Sequence, residues 1–223
     1  MAEAGFDTVF VGIETPDQSS LCEAGKHQNR RRDLVADVKG LQRSGCGRGF
    51  IVGFDSDTPS IFQRQIDFIQ ESGIVTAMVG LLQALPGTRL YERLQREGRL
   101  RCGGTGDNVG LTTNIVPTMN PEALLEGYKT ILRTIYAPES YYRRVRDFLR
   151  EYRVPRIRSA LDFHYKLAFF SALYRLGTRR GRRYFWKSMI WTLWHRPRLF
   201  PQAITLAIYG YHFRTICERY ILR

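Results

Sequence analysis

Phe6-Asp7-Thr8-Val9-Phe10-Val11-Gly12-Ile13-Glu14-Thr15-Pro16 is the stretch on which the fold turns: an apolar run that ends in a carboxylate. Its Val, Ile and Phe do not alternate cleanly with polar residues, as expected of a strand covered by helices. Two more such runs follow, Gly49-Phe50-Ile51-Val52-Gly53-Phe54-Asp55-Ser56-Asp57 and Val75-Thr76-Ala77-Met78-Val79-Gly80-Leu81-Leu82-Gln83-Ala84. Helical stretches separate them. Residues 33–44 place Leu34, Val35, Val38 and Leu41 on one face and end at Gly45. A second helix opens at Asp57-Thr58-Pro59, with Asp57 or Thr58 as its cap, carries Ile61, Phe62, Ile66 and Ile69 inward, and stops at Gly73. A third runs from Thr88 through Leu90, Tyr91 and Leu94 to Gly98. Strand–helix–strand repetition puts the strand C-termini on one edge of a parallel sheet, where such folds bind ligands. Three units are too few to close a barrel.

The 223 residues hold 43% apolar and 13% aromatic side chains, which suits a packed core and argues against disorder. Cys22, Cys46, Cys102 and Cys217 lie far apart, without CxxC spacing or histidines that complete a zinc pattern. With no signal-peptide pattern at the N-terminus, they read as free thiols in a reduced, cytoplasmic setting. His27, His164, His195 and His212 are dispersed and read as ordinary interior or surface residues. There is no GxGxxG fingerprint and no GxxxxGK[ST] loop, so nicotinamide and P-loop readings score low.

The net charge of +13 is uneven. Residues 1–142 carry 15 basic and 17 acidic groups, and residues 143–223 carry 19 basic and 4 acidic ones. A region so basic suggests an anionic partner. Residues 101–120 form a loop or linker with the run Gly103-Gly104-Thr105-Gly106-Asp107-Asn108, and the pattern is helical from Pro121 on. Helices are expected over 121–135, 138–153, 158–176, 181–195 and 200–221. Residues 159–223 interleave arginines with aromatics, as in Arg182-Arg183-Tyr184-Phe185-Trp186-Lys187. Three readings stay open: a helical cap with an aromatic core and solvated arginines, docking on an anionic membrane surface, and nucleic-acid binding. The last is weakest, since no recognised DNA or RNA module is visible. The longest uncharged run, 199–213, is short for a membrane span.

Chemistry is expected at the strand ends. Glu14 can accept hydrogen bonds from a ribose or an ammonium group, or belong to the capping network of the next helix. Two glycines on one strand, Gly49 and Gly53, suggest close approach by a ligand or by a packed neighbour. Gln83 and the turn Pro86-Gly87-Thr88 can cradle a small polar ligand, or Thr88 can cap the helix that follows.

Taken together, Gly12-Ile13-Glu14-Thr15, Gly49-Phe50-Ile51-Val52-Gly53 and Pro86-Gly87-Thr88-Arg89-Leu90-Tyr91 resemble elements at the ends of strands four, five and six of radical S-adenosylmethionine (radical SAM) enzymes. Gly25-Lys26-His27-Gln28-Asn29, Gly53-Phe54-Asp55-Ser56-Asp57-Thr58-Pro59 and Thr113-Asn114-Ile115-Val116-Pro117 narrow the resemblance to members with an upstream cobalamin-binding domain, such as the hopanoid methylases. The resemblance implies an α/β fold in which residues 1–100 are half of a TIM-type barrel and residues 121–223 an all-helical domain. It implies that Glu14 and Thr15 touch the methionine or ribose part of S-adenosylmethionine, that Ile51 and Gly53 lie near the adenine, that Gln83 lines the same cavity and that Lys26 meets the carboxylate. The substrate would be a small or lipid-like molecule. The CxxxCxxC loop that holds a 4Fe–4S cluster in that family is absent here, so cluster and cobalamin are expected only in a complete protein. Met1 then reads as an internal methionine of a longer chain, which alone would bind S-adenosylmethionine weakly and be inactive. Residues 44–49 are short, charged and glycine-rich, so the strand they lead into is expected to be frayed or misplaced. From another class comes the alternative of a non-catalytic remnant that binds a membrane surface or a partner through its basic helices.

Overall fold

The computed structural model describes residues 9–29, 32–42, 46–101, 112–152 and 181–221. The helix expected over 158–176 and the run 103–108 lie outside them. Strands β1 (Val9–Glu14), β2 (Cys46–Val52) and β3 (Ala77–Leu81) form one open sheet in the order β1-β2-β3, with both pairs parallel. Helices α1 (Gln18–Glu23) and α2 (Leu34–Gln42) join β1 to β2, α3 (Ser60–Glu71) joins β2 to β3, and α4 (Arg89–Arg96) follows β3. Then come α5 (Pro121–Ile135), α6 (Pro138–Glu151), α7 (Arg182–His195) and α8 (Phe200–Ile216), the last continuing as a π-helical turn over Cys217–Ile221. This is a partial α/β barrel with a helical C-terminal region.

Three details depart from the sequence reading. β2 is not frayed at its start: it pairs with β1 from Cys46 onward, because backbone ladder bonds do not depend on the side chains that glycine lacks. Neither Asp57 nor Thr58 caps α3, whose N-cap is Pro59 with no side-chain bond, because Asp57 turns back to the N–H groups of Gly53 and Phe54 at 2.8 and 3.1 Å. Helix α1 was not foreseen. Its six residues bury a single large apolar side chain, Leu21, so no periodicity announces it. What starts it is Asp17, whose Oδ1 accepts from the N–H groups of Ser19 and Ser20 at 2.8 and 3.0 Å.

The sheet has two unlike faces, because successive side chains point to opposite sides. Ile13, Phe50, Val52, Ala77, Val79 and Leu81 are buried in the main core. Phe50 meets Phe68 of α3 edge-on, with ring centroids 5.9 Å apart. Helix α5 packs on α3 and β3, and the hydroxyls of Tyr128 and of Tyr136 just beyond it donate to the carbonyls of Val79 and Ala77 at 3.2 and 2.7 Å. Arg144 of α6 is fully buried; its guanidinium donates to the carbonyls of Ile74 at 2.7 Å and of Ile135, the last residue of α5, at 2.6 Å. A cation at a helix C-terminus complements its negative end. One continuous core thus runs from the sheet to α8. In the helical region Tyr141, Tyr142, Phe185 and Phe213 join that aromatic interior. Among the described residues no helix is long and apolar enough to cross a membrane.

Candidate functional site at the strand ends

The site is built on an irregularity at the end of β1. Gly12 pairs with Gly49, but the next pair is Glu14 with Phe50, so one residue of β1 is bulged out. Glu14 takes up the bulge with a φ of 70°, the one positive value at a non-glycine residue among those described. Left-handed backbone is costly for a side chain with a Cβ, and such residues cluster at functional sites. The carboxylate folds back over Gly12: a Cβ placed at 12 would stand 2.6 Å from Glu14 Oε1. There it pairs with Lys26 Nζ at 3.1 Å. Lys26 is delivered by the end of α1. The N–H of Gly25 donates to Cys22 and that of Lys26 to Leu21, a Schellman turn whose αL residue, Gly25, has a φ of 69°.

Beside this pair opens a cavity of about 640 Å³ whose lining includes Glu14, Lys26, Ile51, Phe54, Gln83 and Leu85. A second cavity of about 210 Å³ lies over the free face of the sheet and shares Glu14, Ile51, Gln83 and Leu85 with the first. Its floor follows from the register. Gly12, Gly49 and Met78 are aligned across the three strands, and Ile51 is aligned with Gly80. Three glycines on one face leave backbone where side chains would stand.

A polar frame holds the strand ends in place. Asp57 accepts from Gly53, Phe54 and the Ser20 hydroxyl, the last at 2.6 Å, tying β2 to α1. Burial raises its pKa despite those bonds. Asp55 is held below the usual carboxylate range, chiefly by hydrogen bonds from Arg99, which outweigh burial, with help from Thr118. Arg93 spans Asp55 at 2.9 Å and Glu23 at 3.0 Å. Asn114 treats the end of β3 as a strand partner: its Oδ1 accepts from the N–H of Ala84 at 2.9 Å and its Nδ2 donates to the same residue's carbonyl at 2.7 Å.

Of the residues singled out from sequence, Glu14, Lys26, Ile51 and Gln83 converge on the larger cavity. Gln83 Nε2 also donates to the carbonyl of Thr112 at 3.3 Å. Thr15 and Gly53 are not among its lining residues. Thr15 is buried and its hydroxyl accepts from the N–H of Asp17 at 3.2 Å. Gly53 has a φ of 104°, and a Cβ there would meet Leu124 of α5 at 3.3 Å. Thr88 caps α4, accepting from the N–H of Tyr91 at 3.2 Å, and also borders the cavity. Sequence reasoning missed Gly12 and Gly80 as floor residues and Arg93 and Arg99 as frame residues. Glycine in the middle of an apolar strand was the available signal for the floor; nothing local marks the arginines. Among the described residues no group of three or more His, Cys, Asp and Glu side chains could hold a metal ion.

Comparison with known proteins agrees with the family resemblance. The chain is 35% identical over 222 residues to an uncharacterized methyltransferase of Synechocystis sp., an alignment covering 96% of this chain and 41% of the relative. It is 35% identical over 146 residues to the hopanoid C-2 methylase of Rhodopseudomonas palustris, covering 65% of this chain and 27% of that protein. The chain thus spans less than half the length of these relatives. Residues 88–222, from the cap of α4 through the π-helical turn, match a family described as a domain of unknown function, DUF4070. The chain belongs to the DUF4070 family, and the two relatives it resembles are named as a methyltransferase and a hopanoid methylase.

Proposed function

We propose that the chain forms part of the S-adenosylmethionine pocket of a radical SAM methylase that acts on a lipid-like substrate. The observation that carries this reading is the strained Glu14, whose carboxylate lies over Gly12 at the ligand edge of the sheet. The residues fit such a ligand. A cavity of about 640 Å³ is within the range of small-molecule sites. It offers an anion, a cation, an amide and an apolar wall, and any larger residue at position 12 would collide with the Glu14 carboxylate that borders it. In this reading Glu14 accepts hydrogen bonds from the ligand's ammonium or ribose hydroxyls. Ile51 packs against the adenine, Gln83 contributes its amide, and Lys26 meets the carboxylate. Thr15 and Gly53 act from outside the lining, by shaping the exits of β1 and β2. S-adenosylmethionine, when bound, supplies the group that is transferred or made radical. The 4Fe–4S cluster does not fit this chain's residues: the sequence has no CxxxCxxC loop, Cys22 is exposed on α1 and Cys217 is buried in the turn after α8. Cluster and cobalamin belong in this reading to a complete, cytoplasmic protein. The lipid-like acceptor rests on the hopanoid in one relative's name.

Calorimetric titration of the full chain with S-adenosylmethionine tests the proposal. Weak saturable binding is expected, weakened roughly tenfold by Glu14→Gln, the scale of one charge-assisted hydrogen bond. A folded chain that binds nothing, or a Glu14→Gln variant that binds as before, would overturn it. Turnover to 5′-deoxyadenosine by this chain alone would contradict its being only part of the enzyme.

A further inference from the structure

Helix α7 has one face inside the protein and one outside. Phe185, Ser188, Met189 and Thr192 are buried. Trp186, Ile190, Leu193 and Trp194 follow one another at helical spacing on the other side. All four are exposed, Ile190 by 62%, Leu193 by 57% and Trp194 by 85%. An apolar stripe of this kind marks a binding surface rather than a solvated one.

The charges around the stripe identify what it binds. Arg182, Arg183 and Lys187 stand on the same helix, and Arg196 and Arg198 follow it. From Gly181 to Cys217 the sequence contains no Asp or Glu. No ion pair joins any of these five cations to another described residue. Arg196 instead donates to the carbonyls of Arg150 and Tyr152. Tryptophan suits the boundary between lipid headgroups and acyl chains, and unpaired arginine and lysine suit lipid phosphates. With 14 residues, α7 is too short to span a bilayer but long enough to lie along its surface.

We infer that α7 docks the protein on an anionic membrane surface, inserting its Trp186–Trp194 stripe at headgroup depth with Arg182, Arg183 and Lys187 against lipid phosphates. This goes beyond the methylase reading and is independent of it, since no residue of the strand-end cavity takes part.

The test is co-sedimentation of the full chain with vesicles of phosphatidylcholine, pure or with about one third phosphatidylglycerol, at low and physiological salt. Binding to the anionic vesicles is expected to be roughly tenfold or more stronger, to weaken with salt, and to shift tryptophan emission to the blue. Ile190→Ser with Trp194→Ser should weaken it roughly tenfold, and Arg182→Glu with Arg183→Glu should remove the preference for anionic lipid. These side chains are exposed, so both variants should keep the parent circular dichroism and melting curve. Equal binding to the two vesicle types, or undiminished binding by the serine variant, overturns the inference. So does a vesicle-free dimer that the serine variant dissociates, because a second copy of the chain then covers the stripe.

Discussion

Gly210 of α8 lies against the ring of Tyr141 of α6: a Cβ at position 210 would stand 2.2 Å from the tyrosine Cε1. The ring cannot withdraw easily, since it is buried and its hydroxyl donates to the carbonyl of Leu206 at 2.6 Å. The two helices therefore meet at backbone distance, and glycine is kept within a helix despite its poor propensity.

Gly210→Ala sets two effects against each other. Alanine gains about 1 kcal/mol in helix propensity, whereas overpacking a fixed ring costs about 1–3 kcal/mol. Net destabilisation is expected, read as a lower denaturation midpoint. Combining it with Tyr141→Leu should recover part of the loss, giving a double-mutant cycle with clear coupling.

Glu14→Gly should separate stability from binding. Glycine accepts the φ of 70° without strain, a gain of about 1 kcal/mol. The lost ion pair with Lys26 is partly exposed and contributes little. A slightly higher melting temperature with no measurable S-adenosylmethionine binding is the expected result. A lower melting temperature would show that the bulge needs the carboxylate for its own support.

Asp55 and Asp57, two residues apart, should respond to acid in opposite ways. Asp55 has a depressed pKa in the folded state, so its contribution is present above the ordinary value of 3.8 and is lost as pH falls through the folded value. Asp57 has a raised pKa, so its penalty is absent below 3.8 and grows as pH rises through the folded value. Asp55→Asn should flatten the acid side of the stability profile. Asp57→Asn, which can keep its acceptor for Gly53 and Phe54 without burying a charge, should remove the decline toward neutral pH. Urea midpoints from pH 3 to pH 7 would measure both.

Arg144 is the joint between sheet and helices. Burial lowers its pKa to about 10, so it remains charged at neutral pH. Its Nη1 has no hydrogen-bond partner among the described residues, while Nε and Nη2 hold Ile74 and Ile135. Arg144→Ala leaves two buried carbonyls unmet and a cavity, at an expected cost of about 3 kcal/mol or more. Arg144→Met fills the space and removes the buried charge, and should cost less. If the two variants are equally destabilised, the hydrogen bonds matter more than the packing.

The sequence by itself determined the three strands, most of the helices that follow them and the parallel sheet. Those follow from local quantities: apolar runs of strand length, helical spacing in α3 and α5, and prolines at helix starts. Glu14, Ile51 and Gln83 were legible because each sits at or near a strand end, where chain order alone brings them to one edge; Lys26, delivered by the end of α1, was legible only through the resemblance. Tertiary structure decided the rest. That Gly12 gives the Glu14 carboxylate its place, and that Gly53 faces Leu124 instead of the cavity, depends on strand register and on how α5 lies over the sheet. The Arg93 and Arg99 frame joins residues up to 70 positions apart, and helix α7 shows which of its aromatics are core and which are exposed only once α6 and α8 have covered one side. Hydrophobic spacing states which residues share a helix face, but only packing decides which face is left to the solvent.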